Sequence, residues 1–150
     1  MRIAFDLDDT LIPTTTQFSV GSRKLGFPAS LLFKEELRLG APELLRKLSL
    51  EHELWIYTTS LRKEAYVKAW FKLWGVKIAY VINQTKHKEA VSGNSMYSRF
   101  SKSPKFYDID LLVDDLPGVE IECNQQGSNS VIVSPDDDEW AQKILSRVEL

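Results

Sequence analysis

Three aspartates near the start of the chain have the type and spacing of a metal-binding or catalytic group. Asp6, Asp8 and Asp9 follow directly after the apolar run at residues 3–5. Burying carboxylates this close together costs several kcal/mol per uncompensated ion, and a hard divalent cation, most simply Mg2+, would offset that cost. In a strand, Asp6 and Asp8 point to the same side of the chain. Both can therefore converge on one metal ion or one substrate.

The elements that must position these acids alternate between strands and helices. Apolar runs predict strands at 3–5, 54–57, 78–82, 109–113 and 131–133. Helical periodicity and boundary residues predict helices at 31–39, from 41 onward, at 62–74, 119–126 and 136–148. This alternation predicts an α/β fold, a three-layer sandwich with a parallel, Rossmann-like sheet of about five strands. The tryptophans of the 62–74 helix are interpreted as core packing.

Polar residues follow three of the predicted strands at the point where each strand ends: Asp6, Asp8, Thr58, Asp114 and Asp115. Ligands of open α/β sheets bind beyond the carboxyl ends of the strands, where the strand order reverses. We therefore expect these side chains to meet at one edge of the sheet, with Thr59 beside Thr58.

The sequence at these positions resembles the motifs of the haloacid dehalogenase-like (HAD) superfamily of aspartate-nucleophile phosphohydrolases. Residues 6–11, D-L-D-D-T-L, resemble its first motif, residues 55–58 its second and residues 111–115 its fourth. The third motif is a lysine before the fourth-motif strand, and the resemblance puts it at Lys102, with Lys105 as the rival. The resemblance implies a Mg2+-dependent phosphomonoesterase that works through an aspartyl-phosphate intermediate.

The chemistry of these side chains supports the same roles. Asp6 can attack phosphorus in line, and Asp8 can protonate the leaving oxygen and then activate water. Thr58, with Thr59, can hydrogen-bond phosphoryl oxygens, and Lys102 or Lys105 can neutralise them. The expected metal ligands are Asp6, Asp114, Asp115 and, by resemblance, the Asp8 carbonyl. Asp9 is expected to stabilise the turn.

Three alternatives stay open at the level of sequence. The first aspartates can form an acidic turn that caps a helix. A response-regulator receiver domain also gathers acids, a threonine and a lysine at a sheet edge, although in that class the acidic pair precedes the single aspartate. A HAD-like binding module would keep the fold without useful turnover. Steady release of phosphate would separate an enzyme from the last two.

Composition places the chain among folded globular proteins of one domain. Its 150 residues are 43% hydrophobic and 27% charged, which predicts a single catalytic domain over 1–150. No apolar run approaches the roughly 18 residues that span a bilayer. A lone Cys123 and the absence of a cleavable apolar leader favour a reducing cytoplasm. A net charge of -2 makes nucleic acid a possible but not a favoured partner.

The expected partner is a phosphorylated small molecule or macromolecule. Little chain is available to form a cap over the site. Residues 12–39 are predicted to form only a short flap with one helix, and no sizeable cap domain is expected. A large substrate or a neighbouring subunit of a homo-oligomer would then exclude water. Residues 83–107, predicted to be irregular, carry basic and aromatic side chains that form either a recognition surface or a solvated loop with its rings in the core.

Overall fold

The central sheet has five strands, and all of its pairings are parallel. The computed structural model describes residues 1–21 and 26–149. Its strands are β1 (Arg2–Phe5), β2 (Glu53–Tyr57), β3 (Tyr80–Ile82), β4 (Leu111–Asp114) and β5 (Ser130–Ile132). Their order is β3-β2-β1-β4-β5. This confirms the predicted α/β fold, and it places β1 at the centre, where the strand order reverses.

Among the described residues, five α-helices and one short 3-10 helix connect the strands, and a sixth α-helix follows the last strand. The helices are α1 (Ala29–Leu32), α2 (Ala41–Leu48), α3 (Glu64–Leu73), α4 (Gln84–Val91), α5 (Pro117–Gln126) and α6 (Trp140–Val148), with a 3-10 helix at Pro104–Tyr107; this set covers the described residues. Since β1 lies between β2 and β4, the ends of these three strands are neighbours. The connections that follow them therefore share one edge of the sheet.

Two hydrophobic cores cover the two faces of the sheet. Along β1, Ile3 and Phe5 face one core, whereas Ala4 faces the other. The first core contains Trp70 and Trp74, which confirms that these two pack the interior, and it also contains Trp140. The second core includes Tyr57 and Cys123, and both are buried. This alternation is what a strand buried on both faces requires.

The segment before α2 differs from its prediction. A helix was expected at 31–39, but α1 ends at Leu32 and Phe33 already has an extended backbone. The residues beyond it bond to the segment that follows β1, since Arg38 N donates to Leu11 O at 2.7 Å and Leu39 N donates to Ser19 O at 2.8 Å. Tertiary backbone hydrogen bonds therefore replace the predicted helix. Residues 22–25 of the predicted flap lie outside the described residues.

The segment at 83–107 also differs from its prediction. It was expected to be irregular, but it contains α4 and the 3-10 helix. Asn83 caps α4, because its side chain accepts a hydrogen bond from Lys86 N at 2.9 Å. Phe100 is buried and Tyr107 packs against the second core, whereas Phe106 contacts Tyr107 edge-on but is itself exposed. The packing of these rings favours the interpretation in which the aromatics support the core.

Across the part of the chain that the structure describes, no helix is both long enough and apolar enough to cross a membrane.

Candidate active site

The floor of the site is formed where β1 and β4 end side by side. Asp6 follows the last residue of β1, and its backbone N–H donates to Val113 O at 2.9 Å. Asp114 is the last residue of β4. Both side chains are buried. The parallel pairing of the two strands thus brings two carboxylates from distant parts of the sequence to the same level of the sheet.

Lys102 lies between these two carboxylates. Its Nζ is 2.6 Å from Asp6 Oδ1 and 2.5 Å from Asp114 Oδ2, and its side chain is only 3% exposed. Lys105 is exposed and lines a cavity with Met1 and Asp110, which precede β1 and β4 at the opposite edge of the sheet. Of the two rival lysines, the structure brings Lys102 to the acids and leaves Lys105 away from them.

Three carboxylates at this edge could hold a metal ion. Asp6, Asp114 and Asp115 each offer an oxygen, and these three atoms lie within 4.8 Å of one another. Thr10 Oγ1 is within hydrogen-bond distance of both Asp6 Oδ2, at 3.3 Å, and Asp115 Oδ1, at 3.2 Å. Converging carboxylate oxygens are the donor set that a hard divalent cation such as Mg2+ prefers, so the residues present fit that ion.

The electrostatics of the floor also favour a cation. Burial raises the pKa of Asp6 to about 7; the charge of Lys102 opposes this shift and that of Asp114 adds to it. Burial alone would lower the pKa of Lys102, but the charges of Asp6 and Asp114 raise it and keep the ammonium protonated. Burial and the charge of Asp114 raise the pKa of Asp115 as well. One ammonium therefore leaves the three carboxylates partly uncompensated.

Asp8 does not join this cluster through its side chain. Arg62 forms a two-pronged ion pair with it, with Nη1 at 3.0 Å from Asp8 Oδ2 and Nη2 at 2.9 Å from Asp8 Oδ1. Burial would raise the pKa of Asp8, but the hydrogen bonds from Arg62 and Thr14 hold it below its ordinary value. The carboxylate predicted to ligate or protonate thus lies at the rim of the site, and the predicted role of its carbonyl stays a prediction.

The same arginine binds a second carboxylate. Arg62 Nη2 is 2.5 Å from Glu35 Oε1, and Tyr66 of α3 donates its hydroxyl proton to Glu35 Oε2 at 3.1 Å. Phe33 stacks on Tyr66 with ring centroids 5.3 Å apart. These contacts attach the segment after α1 to α3 beside Asp8. Arg62 and Glu35 were not predicted as site residues; the signal for Arg62 was its position four residues after Thr58.

The turn after β1 is built around Asp9. Its φ of 60° is left-handed, and its carboxylate accepts hydrogen bonds from the backbone N–H groups of Thr14, Thr15 and Thr16 and from the hydroxyls of Thr15 and Thr16. Burial would raise the pKa of Asp9, but these hydrogen bonds hold it well below its ordinary value. The prediction that Asp9 stabilises the turn is confirmed.

The two predicted threonines differ in their surroundings. Thr58 is buried, and its Oγ1 donates to Ser60 Oγ at 2.9 Å and accepts from Ser60 N at 3.1 Å. Its hydroxyl is therefore fixed at the end of β2. Thr59 is exposed, so its side chain is open to a ligand from solvent.

Comparison of the sequence with protein-family models and with curated proteins finds no match. The likeness to HAD motifs consequently stays a prediction from residues 6–11, 55–58 and 111–115.

Proposed function

We propose that the protein is a Mg2+-dependent phosphohydrolase of the HAD type that cleaves phosphomonoesters through a phosphorylated Asp6. The observation that carries this proposal is the buried ammonium of Lys102 between Asp6 and Asp114, with Asp115 close enough to share a cation. Burying this group of charges is costly unless each charge is compensated by an opposite one. Phosphoryl transfer needs a cation, a metal and a nucleophile in one place.

In the proposed reaction, a carboxylate oxygen of Asp6 attacks phosphorus while the bond between phosphorus and the ester oxygen breaks. The leaving oxygen takes a proton from Asp8. Asp8 then removes a proton from water, the water oxygen attacks phosphorus, and the bond to Asp6 breaks to release inorganic phosphate. Asp6 begins and ends as a carboxylate and Asp8 begins and ends protonated, so protons and electron pairs balance over the two steps.

The contacts of Asp8 set a condition on these reaction steps. The ion pair with Arg62 stabilises the carboxylate form, which is the form that activates water. Donation to the leaving oxygen requires the protonated form, so the ion pair must loosen in the first step. Glu35 is already within 2.5 Å of Arg62 and can retain it when Asp8 is released.

The remaining residues bind and neutralise the phosphoryl group. Asp6, Asp114 and Asp115 would hold Mg2+, whose charge would offset the negative charge on the phosphoryl oxygens. Lys102 contributes a fixed positive charge next to the nucleophile. Thr59 follows the end of β2 and can donate its hydroxyl proton to a phosphoryl oxygen, and Thr58 can do the same if its hydroxyl turns away from Ser60 Oγ.

The proposed substrate is a phosphorylated small molecule or macromolecule, and the proposed location is a reducing cytoplasm. The location is supported by Cys123, which is a free thiol buried in the second core. The substrate class follows from the proposed chemistry and not from a defined binding pocket.

A binding module of the same fold is the second candidate. One observation favours it: the proposed nucleophile and the proposed acid are both paired with cations, Asp6 with Lys102 and Asp8 with Arg62. Such pairing stabilises the carboxylates whether or not a reaction follows. This candidate predicts anion or metal binding without turnover.

Phosphate release from p-nitrophenyl phosphate, measured with Mg2+ and with excess EDTA, tests the proposal. We expect turnover with Mg2+, its loss in EDTA and its loss in Asp6→Asn, whose side chain is close in size and cannot form the phosphorylated intermediate. An exposed acid far from the site, as in Glu51→Gln, serves as the control. Wild-type rates in Asp6→Asn, or equal rates in EDTA, would refute the proposal.

A further inference from the structure

Lys102 lies in a segment that has no helix or strand to hold it. Residues 101–103 lie between α4 and the 3-10 helix and make no regular backbone ladder. A lysine side chain has several rotatable bonds, and its ammonium stays in one place only if the backbone beneath it is fixed. Contacts from other parts of the fold must therefore hold the backbone that carries Lys102 Nζ.

Two buried side chains bind the backbone on both sides of Lys102. On one side, His87 Nε2 is 3.1 Å from Phe100 O. On the other side, Ser103 N donates to the Tyr57 hydroxyl at 2.8 Å. The two side chains are joined, because Tyr57 Oη is 2.6 Å from His87 Nδ1. A single chain of hydrogen bonds thus spans the residues that flank the lysine.

The chemistry of the groups fixes the direction of each hydrogen bond. A backbone carbonyl only accepts, so His87 Nε2 carries the proton given to Phe100 O. His87 Nδ1 is then the acceptor of the Tyr57 hydroxyl proton, and Tyr57 Oη accepts from Ser103 N. Every donor has one acceptor, which is the arrangement in which a buried polar network is rigid.

The network connects the loop to the sheet. Tyr57 is the last residue of β2, directly before Thr58, and His87 lies in α4. Both are buried. Gln126 Nε2 adds a further hydrogen bond to Lys102 O at 2.9 Å. β2, the strand that Thr58 follows, therefore helps to fix the position of Lys102.

We propose that Tyr57 and His87 are positioning residues that hold the Lys102 ammonium between Asp6 and Asp114. Neither side chain touches the ammonium itself; both act on the backbone that carries it. The catalytic consequence rests on the proposed function, whereas the structural consequence does not.

The variant Tyr57→Phe removes the central hydroxyl and leaves the ring in place. Tyr107→Phe is a matched control, because its ring lies 5.7 Å from that of Tyr57 and, among the described residues, its buried hydroxyl has no hydrogen-bond partner. His87→Gln is a second test of the network should Tyr57→Phe fail to fold. All variants are compared at a temperature at which circular dichroism shows them folded.

The first readout is the rate at which acetic anhydride acetylates Lys102, measured by mass spectrometry without substrate. We expect an increase of about 10-fold in Tyr57→Phe, because the loss of a buried hydrogen bond raises the open fraction of the loop, and little change in Tyr107→Phe. Hydrogen exchange of the β1 amides should stay unchanged. An unchanged acetylation rate, or one that rises only as much as β1 exchange, would overturn the inference.

The second readout is the split between kcat and KM for p-nitrophenyl phosphate. A displaced but still charged lysine should lower kcat about 10- to 100-fold while KM stays within about 3-fold, since attraction to phosphate acts over distance and transition-state contacts do not. In a Lys102→Met background, Tyr57→Phe should cause no further loss. A further loss of the same factor in that background would overturn the inference. A wild-type protein that releases no phosphate contradicts the proposed function alone, because the acetylation test still decides the positioning role.

Discussion

Two cations near the site each lie between two carboxylates, but their surroundings differ. Lys102 joins Asp6 and Asp114 at the floor, where the three side chains are 3%, 7% and 1% exposed. Arg62 joins Asp8 and Glu35 at the rim, where the exposed fractions are 17%, 30% and 27%. The floor is built on the ends of two paired strands, whereas the rim depends on a segment outside regular structure.

Because of this difference, Lys102 is a fixed charge, whereas Arg62 is a charge that can change its partner. At the floor, removal of the Lys102 cation leaves two buried carboxylates uncompensated, and burial keeps water from replacing it. At the rim, water can replace a lost partner, and Arg62 can exchange one carboxylate for the other at a modest cost. A fixed cation suits phosphoryl binding, and an adjustable one suits an acid–base residue that must gain and lose a proton.

The largest expected effect comes from breaking the floor. Lys102→Met should lower kcat about 100- to 1,000-fold, because a positive charge next to the transferred group is lost. In the absence of metal it should also lower the free energy of unfolding by about 3–5 kcal/mol, since it leaves two buried carboxylates without a cation. Urea unfolding and p-nitrophenyl phosphate kinetics measure the two effects.

Lys105→Met is the matched control for that prediction. Lys105 is three residues away and exposed at the other edge of the sheet, so both quantities should stay close to wild type. Equal and mild losses in the two variants would mean that neither lysine serves the site, and Lys86 and Lys88 would be tested next.

A smaller effect is expected from breaking the rim. Arg62→Met should lower kcat about 10- to 100-fold, because Asp8 loses the contacts that orient it. The free energy of unfolding should fall by only about 1 kcal/mol, since the ion pairs are partly solvated. Arg62→Lys keeps the charge but not the two-pronged geometry, and it should recover stability more than activity. An Arg62→Met variant as destabilised as Lys102→Met would erase the distinction between floor and rim.

The smallest effect concerns the pH dependence of stability, where Asp6 and Asp8 should behave oppositely. The pKa of Asp6 is raised from 3.8 to about 7, so the folded protein takes up a proton that the unfolded chain lacks as pH falls below 7. Without metal, Asp6→Asn should therefore be more stable than wild type at pH 8, and the advantage should shrink toward pH 5.

The pKa of Asp8 is lowered from 3.8, so its stabilising contribution is present above that value and is lost as pH falls through the folded-state pKa. Asp8→Asn should be less stable than wild type by about 1 kcal/mol at pH 7, with the difference vanishing in acid. Urea unfolding followed by tryptophan fluorescence between pH 3 and pH 8 compares the two variants. The same pH trend in both would contradict the assigned environments.

The sheet and the floor of the site could be predicted from the sequence because their determinants are local. Apolar runs mark the strands, and parallel strands bring whatever follows them to one edge, so Asp6, Thr58 and Asp114 were placed there by order alone. The preference for Lys102 over Lys105 came from the family resemblance and not from a local pattern, and the structural difference between the two lysines is not local. It depends on the buried Pro104, which begins a 3-10 helix that separates the two side chains.

The rim could not be predicted because its contacts join distant segments. Glu35 contacts Arg62 from the segment after α1, which bonds to Leu11 and Ser19 instead of continuing as a helix. The helix α4 was missed for a different reason: its sequence is mostly polar, and only His87 and Val91 are buried, so no apolar stripe marks it. The capping residue Asn83 was the available signal.

The central claim is that Asp6 becomes phosphorylated, and chemical trapping tests it most directly. The protein is mixed with p-nitrophenyl phosphate and Mg2+ and quenched with borohydride, which reduces a phosphorylated aspartate to homoserine, and the peptide is read by mass spectrometry. Homoserine should appear at position 6, and more of it in Asp8→Asn, since an activated leaving group departs unaided while water activation is lost. Phosphate release with no modification at position 6 in either protein would contradict the account.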